Sequence, residues 1–169
     1  MFNCVKHWVL ADRRFWWVIA ALCIALLAFG LYLQEVVGLN PCPMCIVQRY
    51  TFVLIAVCAI VMGFVKSKAG QMFAHVVGII LSGFGAFVAA RQVLLQWNPT
   101  PSYSCGRDLF GMIESFPLRE VIPMIFKGTG DCSAVDWIFL GMSIAQWSFL
   151  VFAFLCVLLC ARVIKSRAR

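Results

Sequence analysis

NPCPMCIVQRYTFVLIAVCAIVMGFV, residues 40–65, decides the fold. It opens on two cysteines two residues apart, set among prolines. It then runs apolar from Ile46 to Val65 with one charge, Arg49. A membrane helix needs roughly 20 mainly apolar residues, and this run has that length. The Cys-x-x-Cys pair therefore sits at the mouth of a span. Its chemistry depends on which side of the membrane that mouth faces.

Three more runs qualify, at about 15–33, 72–95 and 144–164. The first does not read as a cleavable signal peptide, because no small-residue cleavage site follows its long apolar stretch before Gln34 and Glu35. The 169-residue chain is 63% hydrophobic and 12% charged, whereas soluble domains average about 45–50% and about 25%. The expected fold class is thus an all-α integral membrane protein, a four-transmembrane-helix bundle forming one membrane domain over 1–169. Its spans are about 15–33, 46–65, 72–95 and 144–164, and its outer loops about 34–45 and 96–142. Short links favour antiparallel neighbours in the bundle. The net charge of +7 does not indicate a nucleic-acid partner, because the basic residues flank apolar runs and form no separate patch. The lipid bilayer is the partner they fit.

Those basic residues orient the bundle. Lys6, Arg13 and Arg14 precede the first span, Lys66 and Lys68 join the second to the third, and Arg162, Lys165, Arg167 and Arg169 follow the fourth. Asp12 is the one acid among them. The other side carries Arg107, Arg119 and Lys127 against six acids, Glu35, Asp108, Glu114, Glu120, Asp131 and Asp136. Both termini are expected in the cytoplasm, with the 34–45 and 96–142 loops outside.

This topology sorts the nine cysteines. Cys42, Cys45, Cys105 and Cys132 fall on the outer side, where disulfides persist. Cys23, Cys58, Cys156 and Cys160 lie within spans and read as small buried hydrophobes, while Cys4 is cytoplasmic. A c-type haem needs His after the second cysteine, and Ile46 stands there. A structural zinc site draws on two close pairs, but Cys105 and Cys132 are 27 residues apart. A stapling disulfide suits Cys105 with Cys132, which would close a long loop. Across Cys42 and Cys45 it would close a tiny loop and add little stability, so that pair reads better as an exchange centre. Metal binding and structural stapling by the four outer cysteines remain the alternatives to redox chemistry.

Local physics favours exchange. Pro41 and Pro43 restrict the backbone, and the helix is expected to start near Cys45. The free N–H groups and dipole of a helix N-terminus favour a thiolate. Arg49, four residues on, shares a face with Cys45 and keeps its charge. An ionisable residue at membrane depth marks a functional site, and a thiolate there can meet a lipid-soluble electron acceptor.

The chain resembles the disulfide bond formation protein B family, DsbB. The likeness runs through PCPMCIVQR at the second span, LLQWNPTPSYSC opening the long loop, GTGDC near its end and WIFLGMSIAQW leading into the fourth span. It implies a membrane oxidoreductase of the bacterial inner membrane with no metal, working between a soluble periplasmic DsbA-like thiol oxidase and the membrane quinone pool, ubiquinone or menaquinone. It also implies a relay of two disulfides. Cys105–Cys132 would oxidise the soluble partner, with Cys105 taking the incoming thiolate. Cys132 would then attack Cys42 and release Cys45 toward the quinone. Arg49 would stabilise the negative charge.

The likeness further implies polar groups near the quinone ring at the outer end of the third span. Some relatives have His there. This chain has Arg91, Gln92 and Gln96, and Arg91 reads as the substitute, with Gln34 as a further candidate. His75 lies toward the opposite end of that span and reads as interfacial. Ala145 stands where relatives often have Pro. Within the long loop, Leu118, Val121, Ile122, Ile125 and Phe126 follow helical spacing. They predict a short interfacial helix, kinked at Pro123, that holds Cys132 near Cys42.

Overall fold

The structure, a computed structural model, describes residues 13–65, 68–97, 133, 135 and 137–167. Cys4, Cys105, Cys132 and the expected interfacial helix lie outside the described residues. Four helices account for most of the rest: α1 (Arg13–Glu35), α2 (Pro43–Phe64), α3 (Lys68–Trp97) and α4 (Ile144–Arg167). Each carries a stretch long and apolar enough to cross a membrane. At 1.5 Å per residue, even the 22-residue α2 is about 33 Å long, which matches a hydrocarbon core of about 30 Å.

The helices exceed the expected spans because backbone hydrogen bonding continues into polar flanks. α3 starts four residues before the apolar run at Met72, and α2 starts at Pro43 rather than near Cys45. Pro43 suits the first helical position, where its missing N–H costs nothing and its φ is already helical.

α1 packs on α2, α2 on α3, and α3 on α4. One core cluster draws on all four, with Trp16 and Cys23 from α1, Ile55 from α2, Ala74 from α3, and Phe152 and Leu155 from α4. Phe152 stacks on Phe52 with ring centroids 4.1 Å apart. It can do so because α3 offers Gly85, where a Cβ would stand 2.6 Å from the Phe152 ring. The outward faces are as apolar as the interior, with Ile80 63% and Phe154 61% exposed. A soluble bundle would place polar residues there, whereas lipid accepts these. Among polar side chains at depth, Ser82 donates to Gly78 O at 2.7 Å and Thr51 to Val47 O at 2.9 Å, each within its own helix.

Before α4 lies a small antiparallel hairpin, β1 (Ile138–Phe139) and β2 (Met142–Ser143), with Ile138 opposite Ser143. Its two-residue loop takes positive φ at both positions, 52° at Leu140 and 78° at Gly141. That loop twist matches the twist of paired strands. Gly141 accepts it freely, and Leu140 adopts it at a steric cost.

Candidate active site

Cys42 and Cys45 stand at the N-terminus of α2. Cys42 is its N-cap, with extended backbone (φ −80°, ψ 163°) and a sulfur that accepts from Cys45 N at 3.3 Å. A thiol thus takes the position usually held by a Ser or Asp oxygen, satisfying one of the N–H groups left over at a helix start. The two sulfurs are 3.0 Å apart, so a shift of about an ångström separates them from a disulfide bond. Cys42 is buried and Cys45 half-buried.

Arg49 lies one turn beyond Cys45. Its Nη1 donates to Gln34 Oε1 at 2.7 Å and its Nη2 to Gly30 O at 3.2 Å, both on α1. The guanidinium is thereby held beside the cysteine pair. Gln34, singled out in the sequence, meets Arg49 directly.

Arg91 does not join them. It lies on the exposed face of α3, away from the cavity-lining residues, and Gln92 occupies the inner place. One residue turns a helix by about 100°. The inner face of α3 at this level is marked by the buried residues Ala89, Gln92 and Val93. Their i, i+3, i+4 spacing was the available signal for preferring Gln92. Gln92 Nε2 lies 3.3 Å from Cys42 Sγ and 3.2 Å from Cys45 Sγ, and its Oε1 accepts from Gln48 Nε2 at 2.7 Å.

These groups line a cavity of about 330 Å³ at this end of the bundle. Its polar lining includes Cys42, Cys45, Arg49, Gln34, Gln48 and Gln92. Its apolar walls include Phe29, Leu33, Phe52, Trp137, Phe139 and Trp147. The hairpin contributes one wall through a run of rings. Trp137 packs edge-on to Phe29 and stacks on Phe139, and Trp147 Nε1 donates to Phe139 O at 3.1 Å. Ser143 ties the hairpin to two helices. Its Oγ donates to Gln96 Oε1 at 2.7 Å and accepts from Gln146 N at 3.4 Å, while Gln146 Oε1 accepts from Ser143 N at 2.8 Å. The reciprocal Ser143–Gln146 bonds form a capping box at the start of α4. The hairpin was not legible beforehand, though Gly141 after the apolar run 138–140 was its local signal.

His75 sits at the far end of α3, where its Nδ1 donates to Gln71 O at 2.7 Å and its ring stacks on Phe15.

A thiol pair at a helix N-terminus, beside a fixed cation and against a mostly apolar cavity, can exchange electrons with an acceptor that dissolves in lipid. Comparison with known proteins points to disulfide chemistry. The profile of the Disulfide bond formation protein DsbB family matches residues 12–162. The chain is 57% identical over 160 residues to "Disulfide bond formation protein B" of Polaromonas naphthalenivorans (strain CJ2), covering 93% of this chain and 96% of the relative. It is 61% identical over 140 residues to the protein of that name in Polaromonas sp. (strain JS666 / ATCC BAA-500), covering 83% of each. The like-named protein of Albidiferax ferrireducens is 51% identical over 173 residues, 99% of this chain and 97% of the relative.

Proposed function

The chain belongs to the disulfide bond formation protein DsbB family, and from that premise we propose that it carries electrons from a soluble DsbA-like dithiol to a membrane quinone through its four outer cysteines. The reading rests on one observation above all. Two cysteine sulfurs 3.0 Å apart form part of a mostly apolar cavity that also holds Arg49.

A quinone ring is flat and apolar, with carbonyl oxygens as its polar points. The cavity has that character, with aromatic walls and N–H donors gathered on the cysteine side. Arg49 and Gln34 would hold the ring there. When bound, the quinone supplies a two-electron acceptor.

The protein's own steps are thiol–disulfide exchanges. The partner's thiolate attacks the Cys105–Cys132 disulfide at Cys105. A second partner thiolate resolves the mixed disulfide, so the partner leaves oxidised and two electrons remain on Cys105 and Cys132. Cys132 attacks Cys42, forming a Cys42–Cys132 bond and releasing Cys45 as a thiolate. Cys45 is the sulfur left facing the cavity. Arg49 stabilises its negative charge, and the helix N-terminus adds to that stabilisation. Closing Cys42–Cys45 and Cys105–Cys132 again, with the two electrons delivered, completes the cycle. Arg91 has no part in this scheme. The basic flanks of the spans support an inner-membrane placement with the cysteine end facing the periplasm.

The test is oxidation of a reduced thioredoxin-like partner by the purified chain with a soluble quinone analogue, followed as quinone absorbance. Replacing Cys42, Cys45, Cys105 or Cys132 singly by Ser should stop turnover. Turnover retained in the Cys45→Ser protein would overturn the relay.

A further inference from the structure

Gln48 and Gln92 are each 3% exposed and are paired across the interface of α2 and α3. Buried carboxamides in a membrane bundle are costly unless their polar atoms are bonded, and this pair has a definite polarity. Gln48 Nε2 donates to Gln92 Oε1 at 2.7 Å. With the oxygen of Gln92 engaged on that side, its NH₂ is turned to the other, where it lies 3.3 Å from Cys42 Sγ and 3.2 Å from Cys45 Sγ. A carboxamide turned the other way would present an oxygen to the sulfurs and repel a thiolate. Two amide orientations thus have opposite electrostatic consequences, and the Gln48 Nε2 bond to Gln92 Oε1 goes with the one that presents the Gln92 NH₂ to the sulfurs.

We infer that Gln92 is the side-chain N–H donor that stabilises the reduced Cys42–Cys45 pair, and that Gln48 is the positioning residue that keeps this donor turned toward the sulfurs. The inference deepens the redox reading of that pair and rests on it. Stabilising the reduced form of a cysteine pair makes its disulfide a stronger oxidant. The relay requires this, since Cys42–Cys45 must accept electrons from an already oxidising Cys105–Cys132. The donation is direct and largely shielded from water, so it is stronger than an exposed hydrogen bond of the same length. The donor comes from α3, whereas the Arg49 guanidinium is held from α1.

The test uses the full chain in detergent with no quinone. The Cys42–Cys45 couple is equilibrated against glutathione buffers, and its dithiol fraction is read by peptide mapping. Gln92→Leu removes the donor and should move the equilibrium constant about tenfold toward the disulfide, which is about 30 mV. Gln48→Glu keeps length but, when ionised, replaces the amide donor with acceptors only. Its carboxylate accepts from the Gln92 NH₂ and turns the Gln92 oxygen onto the sulfurs, so it should shift the couple in the same direction by at least as much. Gln48→Leu only frees the amide to rotate and should shift it less. If Gln92→Leu fails to fold, Gln92→Met, which keeps length and removes the amide without adding charge, carries the test. A merely structural pair would lower thermal stability and leave the potential in place. Equilibrium constants within about twofold of the wild type for both Gln92→Leu and Gln48→Glu, against the tenfold expected of a hydrogen bond to a charged group, overturn the inference. Failure of the relay itself would appear instead as loss of quinone reduction by the wild-type chain.

Discussion

Each end of the bundle holds an arginine among aromatic rings, yet the two are put to different use. At the cysteine end Arg49 is fixed by an amide oxygen and a backbone carbonyl, and it lines a cavity. At the other end the guanidinium carbon of Arg162 lies over Phe15, 3.7 Å from the ring centroid, and Phe15 stacks in turn on His75. Trp16 closes edge-on against the same imidazole at 4.8 Å. In the first case directional bonds aim groups at a cavity. In the second, flat groups stack and fill space. The cysteines divide in the same way. Cys42 and Cys45 occupy a helix N-terminus with N–H groups to spare, whereas Cys156 and Cys160 lie inside α4, where helical bonding has used those groups. Site chemistry in this bundle follows unsatisfied backbone and aimed polar side chains, not the presence of a charge or a thiol.

The sharpest way to break that contrast is to exchange cysteines at both ends. Cys45→Ser should take quinone-coupled oxidation of a reduced partner to background. The double replacement Cys156→Ser and Cys160→Ser should leave the rate at the wild-type level, because neither sulfur lines the cavity. A loss in the double variant that matched Cys45→Ser, measured in the same assay on folded protein, would erase the distinction. Next in size is Arg49→Ala. Removing a charged donor costs about 1.5–3 kcal/mol, so the apparent KM for a quinone analogue should rise about tenfold or more. Arg49→Lys should recover part of this, because it restores charge without the planar fork that reaches both Gln34 and Gly30.

Gln92 also shows how far the sequence could be read. The four spans were legible because a bilayer demands apolar runs of a set length, and charged, polar or prolyl residues interrupt the sequence between them. The cysteine pair and Arg49 were legible because positions i, i+3 and i+7 of one helix share a face whatever the rest of the fold does. Gln34, a further candidate for the quinone ring by the family likeness, meets Arg49 across the α1–α2 interface. The Gln48–Gln92 bond joins residues 44 apart. It exists only once α2 and α3 have chosen their rotation, which hydrophobicity spread around all sides of a membrane helix specifies weakly. Arg91 drew attention as the charged residue, but bearing a charge at the lipid–water boundary is compatible with facing outward. The hairpin was hidden because two-residue strands carry no period.

Ser143 is a smaller lever on the same end. Ser143→Ala removes the cap of α4 and the anchor on Gln96, and should lower stability by about 1 kcal/mol in a detergent-unfolding titration. Because the hairpin forms one cavity wall, apparent KM for the quinone analogue should also rise, though less than in Arg49→Ala. A stability loss with no change in KM would mean that the hairpin can be loosened without disturbing the cavity.

The smallest expected effect lies at the opposite end, and it tests the contrast most directly. Arg162→Gln removes a cation from the face of Phe15, an interaction of about 0.5–1 kcal/mol where solvent reaches it. Glutamine keeps much of the side-chain length, so the change isolates the charge from the packing. Stability should fall by that amount, and quinone-coupled turnover should not change. The Phe15–His75 stack is packed from α1 and α3 and needs no charge to persist. Trp16 holds the same imidazole from the core. If turnover fell with the Arg162 charge, the two ends would be coupled through the helices that both share. α1 would be the path to test first, because it carries Phe15 at one end and the Gln34 contact to Arg49 at the other. A second replacement at Gln34 would then be less than additive with Arg162→Gln, whereas independent ends give additive losses.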